Sequence, residues 1–135
     1  MGTPQLKIAA DAIDLMERHA ESAAPEECCG LLLGMTDLIA IAFPARNDAA
    51  KPLRRYKINP VDHFKAVRYG RTLNLEVIGA YHSHPCSEPV PSRTDLKRAF
   101  ETYVFIILGQ SDGPRVRAWR LDAGNFAEVP LVRFP

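Results

Sequence analysis

Cysteine is scarce in this 135-residue chain, and its arrangement rules out a disulfide scaffold. Cys28 and Cys29 are adjacent, where a bridge between them would strain the backbone, and Cys86 leaves the count odd. Reduced thiols follow, in keeping with a reducing compartment. A dominant charge is also missing. The 17 Lys and Arg against 16 Asp and Glu leave a net +1, without the long-range positive field of many nucleic-acid binders. Long apolar runs are absent too: the longest, at 28–35 and 103–109, fall far short of the roughly 20 residues that a membrane span needs. Charges at Lys7, Asp11, Asp14, Glu17, Arg18 and Glu21 break up the start of the chain, leaving no core for a secretory signal. The expectation is a cytoplasmic protein with neither a nucleic-acid nor a membrane partner. No repeat, charge block or low-complexity stretch divides the sequence, so residues 1–135 are expected to form one domain.

At 47% hydrophobic residues, a chain of this length can bury roughly two thirds of the surface it exposes when unfolded. It needs no staple. Ile8, Ala12, Leu15, Met16, His19 and Ala20 recur at helical spacing, which predicts an amphipathic helix ending before Pro25. Apolar runs at 28–34 and 38–44, separated by Thr36-Asp37, predict two adjacent strands. Residues 55–58 suggest another short strand. Asn59-Pro60 then supplies an N-cap and a proline at the first helical position, for a helix to about Arg71 that would bury Val61, Phe64 and Val67. Strands are predicted at 75–81 and 103–108, a helix from Ser92 to about Glu101, and turns at 111–114 and 122–125, with strands between and after them. The fold class is mixed α/β (α+β), a largely antiparallel sheet flanked by helices. Basic residues concentrate at 51–71; a solvated face is the ordinary reading, and an acidic protein partner the alternative.

The stretch that carries chemistry is Tyr81-His82-Ser83-His84-Pro85, followed by Pro91-Ser92-Arg93-Thr94-Asp95. Residues two apart in a strand share a face, so His82 and His84 aim two imidazoles at one point while Ser83 faces away. Asp95, in the first turn of the next helix, is placed to return as a third ligand. Two imidazoles and one carboxylate suit zinc and leave a fourth position for water, the pattern of a catalytic rather than a structural site. Zinc lowers the pKa of its water to about 7. The chemistry then needs a carboxylate that is not a ligand, and Glu26 and Glu27 stand at the rim of the apolar core. Blander readings apply to each feature alone: Ser92-x-x-Asp95 is also a helix capping pair, and Glu26-Glu27 also a solvated pair.

Glu27-Cys28-Cys29-Gly30-Leu31-Leu32-Leu33-Gly34, then His82-Ser83-His84-Pro85, then after six residues Ser92-Arg93-Thr94-Asp95, resembles the JAMM metalloprotease family, also called the MPN-plus domain. The resemblance extends over nearly the whole chain, including the Asn47 loop, the entry 56–60 to the second helix, and the closing segments around Trp119 and Phe126. It implies a single MPN-like domain of cytidine-deaminase-like architecture. It also implies one zinc ion held by His82, His84 and Asp95, with Glu27 as the general acid/base and Ser92 as the donor that steadies the oxyanion. Glu26 is offset by one residue from the family position and is assigned to solvent. Ser92 would serve as both helix cap and oxyanion donor only by exchanging hydrogen-bond partners.

Seven residues separate Asp95 from Tyr103, which leaves no room for the second insertion of eukaryotic deubiquitinating enzymes. The chain resembles the compact prokaryotic form, whose implied substrate is a small ubiquitin-like sulfur-carrier protein cleaved at its C-terminal tail. Peptide or cell-wall hydrolysis, as in phage-tail relatives, is an alternative within the same chemistry. Two others lie outside it: a catalytic thiol among the cysteines, and a non-catalytic metal-stabilised binding module in which Cys86 closes the zinc shell.

Overall fold

Sheet formation begins with a run of apolar residues that cannot be satisfied on one face. Leu31, Leu32 and Leu33 have no exposed surface at all, because their strand lies in the middle of the sheet with helices on both sides. Each such side chain contributes about 1.5–3 kcal/mol by leaving water. The fold is a computed structural model and is described for residues 5–93, 95, 102–110 and 113–135. In chain order the elements are β1 (Leu6–Ala9), α1 (Ala10–Ala23), β2 (Cys29–Met35), β3 (Leu38–Ala45), α2 (Pro60–Thr72), β4 (Glu76–Ser83), β5 (Val104–Leu108), β6 (Val116–Asp122), β7 (Asn125–Val129) and β8 (Leu131–Phe134).

The strands form one mixed sheet in the order β7-β6-β5-β4-β2-β3-β1-β8. Pairs β2–β3, β2–β4, β5–β6 and β6–β7 are antiparallel, whereas β1–β3, β1–β8 and β4–β5 are parallel. Alternation along β4 divides the core in two. Tyr81 packs with Ala12, Ile13 and Met16 of α1 on one face, and Ala80 packs with Ala66 of α2 on the other. The metal-motif histidines extend this second register.

Three expectations need correction. Ile8 belongs to β1 rather than to the first helix, because the segment pairs in parallel with both β3 and β8, and sheet hydrogen bonding overrides the helical periodicity. Residues 55–58 form no strand beyond a single bridge between Asn47 and Ile58; the loop is organised by a side chain instead. In α2 the Asn59 cap is present, its side-chain Oδ1 accepting the Asp62 N–H at 3.0 Å, but the buried face is not the predicted one. The helix packs through the small residues Ala66 and Gly70, which leaves Val61 53% and Phe64 61% exposed, with Val67 half-buried. The closing strand β8 does not extend the β6–β7 side; it crosses to pair with β1 at the opposite edge. Of the helix expected from Ser92, Arg93 and Asp95 are helical; Thr94 and residues 96–101 lie outside the described residues, as do Ser111 and Asp112 of one predicted turn. The turn at 122–125 is a hairpin with positive φ at both Ala123 and Gly124.

Candidate metal centre

Among the described residues, the buried polar side chains are Glu27, His82, Ser83, His84 and Asp95. β4 carries His82 at its penultimate position, and His84 follows directly after its end. Ser83 points to the opposite face, where its Oγ accepts the Cys28 N–H at 2.8 Å and ties β4 to the chain just after Glu27.

The two Nε2 atoms of His82 and His84 stand 3.1 Å apart, and Asp95 Oδ2 is 3.2 Å from the first and 3.4 Å from the second. Ligands at 2.0–2.1 Å from a tetrahedral ion are separated by about 3.3 Å, so the triangle has the dimensions of one face of a zinc coordination sphere. The donor set fits the ion. Glu27 lies farther out, a carboxylate oxygen within 4.8 Å of a nitrogen on each imidazole. Cys86 is exposed, and Glu27 forms a second, looser donor group with His82 and His84 beside their tighter triangle with Asp95.

The loop after His84 is pinned from outside. His84 Nδ1 donates to the Glu88 carbonyl at 3.0 Å, Gln110 N–H to Ser87 O at 2.7 Å, and the Trp119 indole to Pro89 O at 3.1 Å. Gly109 lies under this loop. A Cβ there would come within 2.5–2.7 Å of Pro89 N, Ser87 O and Glu88 C, so no side chain fits. The loop ends at Ser92, whose N–H donates to Asp95 Oδ2 at 2.8 Å while Asp95 N–H donates to Ser92 Oγ at 3.1 Å. The capping pair and the carboxylate facing the histidines are thus one structure. A cavity of about 370 Å³ opens beside His84 and Pro85, bounded by Leu108 and Val116, with Glu17, Glu21 and Arg115 also on its wall.

Burial raises the Glu27 carboxyl to about 7; His84 opposes this and Asp95 adds to it. Burial also works against the Asp95 carboxylate, but hydrogen bonds from both histidines and the Ser92 amide hold it well below the usual range. His82 is lowered by burial against the pull of Asp95. At His84 burial acts in the same direction, but Asp95, the Glu88 carbonyl and Glu27 together leave it raised. One carboxyl is thus fixed as an anion and the other is poised near neutrality. Cys29 is pushed up to about 12 by burial and Cys28 is also raised, so neither is a thiolate nucleophile.

The structure therefore brings Glu27, His82, His84, Ser92 and Asp95 into one neighbourhood and leaves Glu26 exposed. His19, on the predicted helix stripe, bonds the Tyr81 hydroxyl at 2.8 Å on the other face of the sheet. Two neighbours of the site lie in segments that carry the family resemblance, but neither takes a role from the sequence alone. Tyr56 stacks on His82, ring centroids 4.3 Å apart and planes at 19°, and Asn47 bonds the Glu27 carbonyl. Nothing in local periodicity points to either, since both act through a loop without regular structure.

An imidazole on β4, another just past its end, a helix-borne carboxylate and an outlying glutamate on a mixed sheet define a JAMM-type hydrolase architecture. The chain belongs to the prokaryotic homologs of the JAB domain, whose family profile matches residues 9–122, and is a JAMM-type peptidase. It is 35% identical to a desampylase of Haloferax volcanii over 98% of this chain and 99% of that protein. It is 30% identical to a CysO-cysteine peptidase of Mycobacterium tuberculosis over 93% of this chain and 89% of that one. A solution structure of a Desulfitobacterium hafniense protein superposes with a TM-score of 0.84, covering 96% of this chain and 93% of that one at 23% identity; it supports the fold. Among the described residues, no helix is long and apolar enough to cross a membrane.

Proposed function

We propose that this chain is a zinc-dependent peptidase or isopeptidase that hydrolyses the amide bond at the C-terminal tail of a small ubiquitin-like protein of the sulfur-carrier type. The observation that carries the reading is the triangle of His82, His84 and Asp95 with its zinc-sized edges, set beside a buried Glu27. Similarity to a desampylase and a CysO-cysteine peptidase, each over most of its length, supports the substrate class.

His82, His84 and Asp95 would hold one ion. Bound there, zinc supplies Lewis acidity toward a water and toward the scissile carbonyl oxygen. Glu27 takes the proton of the attacking water and delivers it to the departing amine; burial favours its protonated form and so helps it hold that proton between the two transfers. Ser92 accepts the Asp95 N–H through an oxygen lone pair, so its own proton is available to the oxyanion formed on the substrate. Cap and donor roles are therefore compatible without an exchange of partners. Asp95, bonded to the Ser92 amide, is kept ionised and oriented toward the histidines.

The test uses a ubiquitin-like carrier extended beyond its terminal Gly-Gly, incubated with the protein with and without chelator. Metal-dependent cleavage after Gly-Gly is expected. No cleavage, or full activity in Glu27→Gln, overturns the reading.

A further inference from the structure

Glu27 sits where no regular element fixes it: α1 ends at Ala23 and β2 begins at Cys29. Its backbone is held by a loop 20 or more residues away in sequence. The Glu27 N–H donates to Pro52 O at 2.8 Å, and the Glu27 carbonyl accepts from Asn47 Nδ2 at 3.0 Å. The same Nδ2 donates to Arg55 O at 3.0 Å, while Asn47 Oδ1 accepts the N–H groups of Ala49 and Lys57, both at 2.9 Å. One half-buried amide thus makes four hydrogen bonds, the full capacity of its side chain. They close the loop on itself and dock it on Glu27. The loop also carries Tyr56, which lies on the ring of His82.

We propose that Asn47 is a positioning residue for the reaction: through the 47–57 loop it fixes the backbone of Glu27 and, with it, the carboxylate relative to His82 and His84. This rests on Glu27 being the proton carrier. The physical case is that a proton acceptor displaced by about 1 Å loses on the order of 10²-fold in rate, and no other described hydrogen bond holds the Glu27 backbone. Aspartate at position 47 separates the two halves of the role. It keeps both acceptor bonds to Ala49 and Lys57, but it sets a carboxylate oxygen against the carbonyls of Glu27 and Arg55.

The experiment compares wild type, Asn47→Asp and Asn47→Ser by steady-state kinetics on the extended carrier and by amide hydrogen exchange in zinc-free and zinc-loaded protein. In both variants kcat is expected to fall about 10- to 100-fold with KM and zinc stoichiometry unchanged. Exchange at the Glu27 amide should accelerate at least about tenfold, while the Ser83 amide, which donates to Cys28 O, keeps its protection. Unchanged Glu27 protection overturns the proposal. So does unchanged kcat, or protection lost equally across β3 and α2. Asn47→Ser, which retains a short turn-forming hydroxyl, carries the comparison if Asn47→Asp does not fold. Glu27→Gln in the same assay isolates the underlying reading: full activity there refutes Glu27 as proton carrier, while the exchange result still decides whether Asn47 holds its backbone.

Discussion

Ser92 and Asp95 cap one another, and the Asp95 oxygen that takes the Ser92 amide proton at 2.8 Å is also the one 3.2 Å from His82 Nε2. The same side-chain oxygen therefore serves the helix cap and the triangle with the histidines. Ser92→Ala is expected to lower kcat by about 10²–10³-fold through loss of the oxyanion donor, and stability by about 1 kcal/mol through loss of the cap. Ser92→Thr retains the hydroxyl and should recover most of both. Rates and thermal melts on the three proteins check this; a Ser92→Ala enzyme that loses only stability would assign Ser92 to the cap alone.

The two histidines are steadied differently. His84 donates its second nitrogen to the Glu88 carbonyl, whereas His82 Nδ1 is buried with no hydrogen-bond partner among the described residues, and its ring is held under Tyr56. Outer contacts of metal ligands commonly contribute 10–100-fold in affinity. Tyr56→Ala should weaken zinc binding by about that factor, and Tyr56→Phe, which keeps the ring, should stay close to wild type. Competition against a chromophoric chelator measures both, and equal affinities in all three would remove the stack from the account.

Gly109 tests the loop that orients His84. A methyl group there meets loop backbone rather than the flexible end of a side chain. Gly109→Ala should cost about 1–3 kcal/mol and weaken zinc binding together, because the displaced residues include Glu88. Denaturant unfolding of the metal-free protein and a zinc titration report the two effects; loss of neither would mean that the loop is not packed on this glycine.

Glu27 predicts a pH dependence of the metal-free protein. Its carboxyl is raised from an ordinary 4.5 to about 7, by burial first, with His84 opposing and Asp95 adding. Between those values the folded chain holds a proton that the unfolded chain has released. The stability contribution is fully present below 4.5, declines as pH rises to 7, and is gone above it, a change of at most about 3 kcal/mol. Glu27→Gln removes this dependence, so the variant should gain on wild type at pH 8 more than at pH 5 in urea unfolding with chelator. An equal difference at both pH values contradicts the burial argument. Bound zinc favours the carboxylate and should shrink the effect.

The parts of the site legible in the sequence are those fixed by short-range geometry. His82 and His84 share a face because a strand has period two, and Ser92-x-x-Asp95 reads as a helix start, so the triangle follows from local rules. The strands of the central sheet follow likewise from their apolar runs. What stayed hidden depends on distant partners. Ile8 reads as helix until β3 and β8 supply strands on either side of it. Val61 and Phe64 read as core until Ala66 and Gly70 are seen to make the closer contact with the sheet. Asn47 and Tyr56 carry no periodic signal, because what they do is set by where a loop lands.

The central claim is that one zinc ion on His82, His84 and Asp95 makes this chain a carrier-tail hydrolase. The direct measurement titrates zinc into fully chelated protein while following bound metal and cleavage of the extended carrier in the same sample. Cleavage should rise in proportion to occupancy, saturate at one ion per chain, and disappear in Asp95→Asn at matched zinc. Full cleavage in the metal-free protein, or saturation of the wild type with no activity at any occupancy, would contradict it.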